Sequence, residues 1–243
     1  MTFYEMLTEA YDVIFPLNPK QIEFIASHIS PPARVVDVGA GTGIAAVELA
    51  AMGFEVTALE PEAGFAEQIK DKAAKQQAAV EVIQDDMRRL KENVTGRFDS
   101  IICIGNTLAH LRDRGQIKQM LADFHSLLKE SGVLIIQVVN YDHVLQYEQY
   151  ELPAINRPGH NVSFQRTYDV GENEIHFHGK LTAGGTTAEN DLTLFPLTKE
   201  ILHSGFEDAG FTSIRYAGAF DGRPHTPDAP ALIAVARKEK VRR

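Results

Sequence analysis

One cysteine, Cys103, is all that 243 residues contain, which excludes an intrachain disulfide framework and a cysteine-rich metal site. It lies in the apolar run "SIICIG", the setting of a buried, inert thiol rather than a nucleophile. No apolar stretch approaches the roughly 18 residues of a membrane span. The opening "MTFYEMLTEAYDVIF" is acidic and lacks the basic start of a secretion signal, so a cytoplasmic location with no membrane partner is expected. Positive charge is scarce as well. There are 24 Lys and Arg against 33 Asp and Glu, a net charge of −9, and this argues against a nucleic-acid backbone as partner. The basic residues cluster only in the tail, Arg237 to Arg243, which reads as a solvated terminus. Internal repeats and low-complexity segments are missing too.

What is present is an alternation. A helix is predicted over 20–29, with Ile22, Ile25, Ala26 and Ile29 on one face, and strand 34–38 follows. Then come helix 43–52, strand 54–59, helix 62–75, strand 79–83, strand 98–105, helix 114–130 and strand 132–139. Strands of buried character alternating with helices mean a doubly wound, mostly parallel α/β sheet. Gly53 and Gly132 are read as helix C-terminal punctuation. Residues 140–195 break the pattern: "VSFQRTYDV", "EIHFHGKL" and "ENDLTLFPL" alternate as antiparallel strands. The α/β pattern resumes with helix 198–209, Gly210, and the strands "TSIRYAG" and "ALIAVAR", which complete seven strands. A small antiparallel cap insertion over the carboxyl edge of the sheet is therefore expected.

The stretch "VVDVGAGTGIAAVELA", residues 35–50, places Gly39, Gly41 and Gly43 in a strand-to-helix turn. With so little side-chain bulk a ligand can approach the backbone, and free N–H groups at the helix start can face it. Dinucleotides and S-adenosylmethionine both use such a turn, and Gly41, Gly43 and Ala46 also satisfy the dinucleotide fingerprint. Both ligands want an acid at the end of the second strand, here Glu60. Three features favour S-adenosylmethionine. Asp37 lies inside the first strand, where it can orient the glycine loop or hold an ammonium group. "QDDMRRL" supplies Asp86 and Met87, an acceptor beside an apolar surface that suits adenine. "IGNTLAHL" sets Asn106 and His110 at the carboxyl edge of the fourth strand.

On these residues the chain resembles the class I S-adenosylmethionine-dependent methyltransferases: "VVDVGAGTG" their first motif, Glu60 their second-strand acid, "QDDM" their adenine contact. "ICIGNTLAHL" followed by "NYDHVL", with "LFPLTKEILHSGFEDAGF" near the end, is similar to the glycine/sarcosine N-methyltransferase group. The resemblance implies a Rossmann-like methyltransferase fold. A helical lid over 1–30 would close a cofactor-binding part made of 31–139 and 196–243, with residues 140–195 as the cap. It implies cofactor contacts from Tyr11, a lid aromatic, and from Asp37, Gly39, Ala40, Gly41, Gly43, Glu60, Pro61, Phe65, Asp86, Met87, Ile104, Gly105 and Asn106. It implies Asn106, His110 and Tyr141 as the catalytic set, no metal, a small-molecule methyl acceptor, and self-association into a homo-oligomer. One departure stands out. The group has an acceptor-clamping arginine just before N-Y-D, and this chain has Val139 there. Either Arg157, Arg166 or Arg223 does the work, or the acceptor differs.

Methyl transfer from a sulfonium asks mainly for positioning, and an amine acceptor must arrive neutral, so no obligatory general base is expected. His110 could act as one or simply pack at a helix start. His176 and His178 form a possible metal pair on one strand face, but no acid sits at obvious spacing, so exposed strand histidines are the expectation. His160 and His225 lie in Pro/Gly-rich loops that could border the acceptor. Tyr141, Tyr147, Tyr150 and Tyr168 read as packing residues, though Tyr141 in "NYD" could face the acceptor. Two alternatives stand beside the methyltransferase: a dinucleotide-dependent oxidoreductase, for which no Tyr-x-x-x-Lys is found, and a non-catalytic S-adenosylmethionine-binding protein.

Overall fold

Thr2 opens the first helix because its hydroxyl accepts from the Glu5 amide (3.3 Å) while the Glu5 carboxylate accepts from the Thr2 amide (2.7 Å). The computed structural model describes residues 2–239. The helix is α1 (Phe3–Ile14), and α2 (Pro19–Ala26) follows with Asn18 as N-cap and proline at its first position. Next come β1 (Arg34–Val38), α3 (Ile44–Ala51), β2 (Glu55–Leu59), α4 (Ala63–Gln76) and β3 (Val80–Ile83). A 3₁₀ turn (Met87–Arg89) and α5 (Leu90–Asn93) lead into β4 (Phe98–Cys103). A second 3₁₀ turn (Thr107–His110), α6 (Arg114–Leu127), β5 (Leu128–Val139) and α7 (Tyr141–Val144) come after it. Four strands, β6 (Gln149–Arg157), β7 (Val162–Val170), β8 (Ile175–Ala183) and β9 (Thr186–Leu194), precede α8 (Lys199–Ala209), β10 (Phe211–Ala217) and β11 (Ala231–Lys238).

The seven-stranded sheet has the order β10-β11-β5-β4-β1-β2-β3, with β1 to β5 parallel and β10 and β11 antiparallel at one edge. Both faces are covered, which is why the central strands read as continuous apolar runs. Val35, Ala46, Leu49 and Ile69 pack on the side of α2, α3 and α4, and Val36, Ile101, Leu121, Phe124 and Phe206 on the side of α6 and α8. Strand order reverses between β1 and β4, so the crevice outside their carboxyl ends is where an open α/β sheet binds its ligand. The second sheet, β6-β7-β8-β9, is wholly antiparallel. α1 lies on its inner face, where Phe3, Met6, Ala10 and Ile14 meet Val162, Phe164 and Leu181.

Three expectations are corrected. Gly132 does not cap a helix: α6 ends at Leu127, β5 starts at once, and Gly132 is buried inside it where a side chain would strike the Lys129 carbonyl at 2.8 Å. Gly53 and Gly210 do end α3 and α8, at φ +91° and +88°. β6 was not foreseen, because Pro153 and a register shift between Leu152 and Ile155 disrupt its alternation. The basic tail is not merely solvated. Arg237 belongs to β11, and Lys238 Nζ donates to the carbonyls of His125 (2.7 Å) and Leu128 (3.0 Å) at the end of α6; residues 240–243 lie outside the described ones. No helix among the described residues is long and apolar enough to cross a membrane.

Candidate functional site

The turn after β1 carries Gly39, Gly41 and Gly43 at φ +70°, +57° and +78°. Space as well as conformation demands glycine. A Cβ on Gly39 would lie 2.3 Å from Thr107 Cγ2, and one on Gly43 2.7 Å from Ile69 Cγ1. Four amides of the turn itself are committed within the protein. Gly39 and Ala40 donate to the Leu59 carbonyl (2.8 and 3.1 Å), Gly41 to Glu60 Oε2 (2.8 Å) and Gly43 to the Ala40 carbonyl (2.9 Å). A pyrophosphate brought to this turn would meet two buried carboxylates, which disfavours the dinucleotide alternative.

Those carboxylates define the electrostatics. Glu60, 5% exposed, is held by the amides of Gly41 and Glu62, yet burial pushes its pKa up to about 7. Asp37, 1% exposed, has no hydrogen-bond partner on either oxygen; burial, then the neighbouring Glu60, raises it to about 7. An unpartnered carboxylate in a strand interior is costly and calls for a cationic donor. S-adenosylmethionine brings an ammonium and a sulfonium, and ribose hydroxyls suit Glu60, so the residues present fit that group.

α1 closes over the turn. The Tyr11 hydroxyl lies 3.4 Å from where a Gly41 Cβ would stand, and its ring meets Phe65 and Phe15, each with centroids 5.0 Å away. Burial, with Glu60, Asp12 and Asp37 nearby, raises Tyr11 to about 12, so it remains a neutral phenol. Sequence reasoning missed the fastening beside it. Asp12 accepts from Thr42 Oγ1 (2.5 Å) and pairs with Lys72 Nζ (2.5 Å), while Lys72 donates to the Thr42 carbonyl (2.9 Å). Gln68 Nε2 reaches the Thr8 carbonyl at 2.7 Å. Polar residues of α1 facing polar residues of α4 were the only signal available.

A second group gathers beyond β4. Asn106 sits at φ +71°, a conformation asparagine tolerates. Its Nδ2 donates to the Tyr141 hydroxyl (2.9 Å), and its Oδ1 accepts from the Val139 amide (3.1 Å). Gly105, exposed beside the part-buried Ile104, donates to Gln137 Oε1 (2.8 Å), a β5 residue not singled out from sequence. Tyr141 is fully buried and its pKa is pushed far up by burial, which excludes it as a base. The rest of "NYD" is scaffolding: Asn140 Nδ2 holds the carbonyls of Pro227 (2.8 Å) and Ala229 (2.9 Å), and Asp142 accepts from the Lys199 amide at the start of α8 (2.8 Å).

The remaining expected residues fall into place around this pair of groups. Asp86, after β3, is gripped by Arg88 through its amide (2.8 Å), Nε (2.8 Å) and Nη2 (2.6 Å), which holds its pKa down, while Met87 packs on the main core. Pro61 is exposed and Phe65 buried. His110 ends the 3₁₀ turn, shares no hydrogen bond with Asn106 or Tyr141 among the described residues, and has its pKa lowered by desolvation. His160 is exposed in the β6–β7 turn. His176 and His178 have acid partners after all, those of His178 from neighbouring strands that linear spacing hid and that of His176 only two residues before it. His178 bridges Asp191 (2.7 Å) and Asp169 (2.9 Å), and His176 meets Glu174 (3.3 Å). No cluster able to hold a metal ion occurs among the described residues. Two candidate arginines are committed elsewhere: Arg157 donates to the Val13 (3.0 Å) and Ile14 (3.4 Å) carbonyls at the end of α1, and exposed Arg223 is locked to Asp221.

The "Methyltransferase domain" family model matches residues 35–132. A glycine/sarcosine N-methyltransferase of Halorhodospira halochloris is 30% identical over 206 residues, 85% of this chain and 75% of the relative. A putative methyltransferase of Geobacillus sp. (strain WCH70) is 33% identical over 224 residues, 84% of each. Among solved structures, an S-adenosylmethionine-dependent methyltransferase from Clostridium acetobutylicum superposes with a TM-score of 0.83 at 13% identity, covering 98% of this chain and 99% of its own. The match to the family model and the similarity to these relatives show the family, and the fold agrees: the chain belongs to the class I S-adenosylmethionine-dependent methyltransferases.

Proposed function

We propose that the enzyme methylates the amine nitrogen of a small molecule held between α1, the glycine turn and the inserted sheet, with residues 1–30 as lid and 140–195 as cap. The observation that carries this reading is the latch of Asp12, Thr42 and Lys72 that fastens α1 over the turn with Tyr11 on Gly41. A site closed in this way admits a small acceptor and excludes bulk water. When bound, S-adenosylmethionine supplies a methyl group already activated on sulfur. Asp37 and Glu60 would hold the cofactor's ammonium and ribose, Tyr11 and Phe65 would cover it, and Asp86 with Met87 would border the adenine.

Amine rather than hydroxyl acceptors are favoured by the groups at hand. Tyr141 stays protonated, Asn106 is tied on both side-chain atoms, and His110 shares no hydrogen bond with either among the described residues, so no base is aligned with that pair to remove a hydroxyl proton. An amine needs only to lose its proton before entry, which apolar walls promote. The relative from Halorhodospira is named for glycine and sarcosine, which are such amines. Incubation with S-adenosylmethionine and a panel of small amines, alcohols and carboxylic acids, followed by mass spectrometry of products, tests the reading. Methylated amines support it. Methyl esters or ethers alone, or methylation of protein or nucleic acid in place of every small amine, would refute it.

A further inference from the structure

β5 runs through the middle of the seven-stranded sheet, between β11 and β4, and its residues 133–139 read "VLIIQVV". Gln137 is the one polar side chain in that run. A central strand covered on both faces carries an amide only where the amide is used. Here main chain and side chain both hold the turn that follows β4. The Gln137 carbonyl accepts from the Asn106 amide (3.1 Å), and Gln137 Oε1 accepts from the Gly105 amide (2.8 Å).

The turn held in this way, residues 104–107, touches both groups of the site. Gly105 and Asn106 lie at positive φ, +76° and +71°. A residue with a side chain stays there only when its surroundings over-determine it. The Asn106 side chain is tied to the Val139 amide and the Tyr141 hydroxyl, and Thr107 Oγ1 closes the turn on the Ile104 carbonyl (2.8 Å). The Thr107 methyl, in turn, fills the space that a Gly39 side chain would need. A Cβ on Gly105 would meet nothing within 4 Å, so the turn borders open space at the carboxyl end of β4. The bond from Gly105 to Gln137 lies on that exposed side, where water would satisfy the amide as well. It therefore adds little to stability, and what it supplies is geometry.

We propose that Gln137 is a positioning residue for methyl transfer: by accepting from Gly105 it fixes the turn that sets Asn106 against the donor bound at the glycine turn. This rests on the reading above, with Asn106 as part of the reacting set. Thr107 carries the setting to Gly39 by direct contact, and Asn106 carries it to Tyr141. Freeing the Gly105 amide lets the turn shift, and an in-line displacement is sensitive to misplacements of an ångström or less. Asp37 lies in β1 and Glu60 just after β2, away from this bond. Gln137 thus acts on the reacting centre and leaves affinity for the rest of the donor alone.

The test compares wild type, Q137M and Q137E in calorimetric titrations with S-adenosylhomocysteine and with sinefungin, an analogue whose amine stands where the donor carries its methyl. Methyl-transfer kinetics with sarcosine as the probe amine run beside them. Q137M removes the acceptor of Gly105 at nearly constant volume, and Q137E keeps it. Q137M is expected to bind S-adenosylhomocysteine within about twofold of wild type but sinefungin about 10-fold more weakly. Its kcat should fall by about 10- to 100-fold with KM for S-adenosylmethionine unchanged. Q137E should recover most of each loss, which a side chain that only packs would not show. Equal losses for both ligands in Q137M, a loss for neither, or a Q137E no better than Q137M overturns the inference. Sarcosine methylated at the same rate by wild type and Q137M overturns it and leaves the amine reading standing. A sinefungin loss that Q137E restores, with no amine methylated by wild type, overturns the amine reading and leaves the inference standing.

Discussion

The glycine turn and the inserted sheet each hold a buried charged group with an unpartnered atom, and the two groups have opposite sign. Around the glycine turn Asp37 lacks any hydrogen bond and Glu60 is held by two amides, and both rise to about 7. On the inserted sheet, Arg166 leaves its Nε unpaired beside the rings of Phe15 and Phe164. If each charge merely stabilised the fold, the two would have been placed against each other. They are kept apart, each on its own sheet, and on the reading proposed above the carboxylates suit a cationic donor.

The largest effect is expected where the glycine turn allows no adjustment. Gly39→Val puts a β-branched residue at φ +70° and drives its Cβ into Thr107, so affinity for S-adenosylhomocysteine should fall by at least about 100-fold by calorimetry. Asp37→Asn is next and tests the sign. A carboxyl raised to about 7 binds its proton more tightly in the folded chain, so its cost is absent below the unfolded pKa near 4 and grows until pH 7. The variant should therefore stabilise the cofactor-free protein at pH 8 by about 1–3 kcal/mol in urea titration. It should also weaken S-adenosylhomocysteine by about 10- to 100-fold. In wild type that affinity should climb as pH rises through about 7 and then level off, and the climb should shrink in the variant. A variant that is both less stable and fully competent to bind would break the comparison.

The two regions were not equally legible in the sequence. Asp37, the glycines and Glu60 lie within 24 residues on a strand–turn–helix–strand, where local rules place every side chain. The inserted sheet depends on contacts between distant segments. Arg157 reaches α1 across 144 positions, and Arg166 acquires its surroundings only when β7 pairs with β8 and α1 lies on both. Among three arginines of similar sequence context, only tertiary structure tells which has a donor to spare. The same reason hid the acid partners of His178, which come from β7 and β9. Gly132 failed differently: a glycine after an amphipathic run looks like a helix end, and here it relieves a backbone approach within a strand.

The latch that joins the two regions should have an intermediate effect. Asp12→Ala removes the acceptor of Thr42 and the partner of Lys72 but leaves Tyr11 and the apolar face of α1 in place. Burial already lowers the Lys72 pKa, so the lysine is left with less support than an exposed one would need. The expected outcome is faster S-adenosylhomocysteine release, by about 5- to 30-fold in stopped-flow displacement, with little change in melting temperature. Release at the wild-type rate would mean that α1 does not gate the glycine turn.

The smallest effect is expected on the opposite face of the sheet that carries Arg166, and it sharpens the contrast. His178 is half-exposed and bonded at both ring nitrogens, by Asp191 and Asp169, which raises its pKa. A raised histidine adds stability below its unfolded pKa near 6.5, and that stability fades as pH climbs through the folded value. Solvent screens the exchange, so His178→Gln should move the melting temperature by no more than about 2 °C at pH 6 and less at pH 8, with methyl-transfer kinetics unchanged. Paired and exposed on the outer face, unpaired and buried on the inner one: equal shifts in melting temperature from His178→Gln and Arg166→Met would show that the whole sheet, rather than the state of each charge, sets the response, and only a difference between the two variants keeps the comparison.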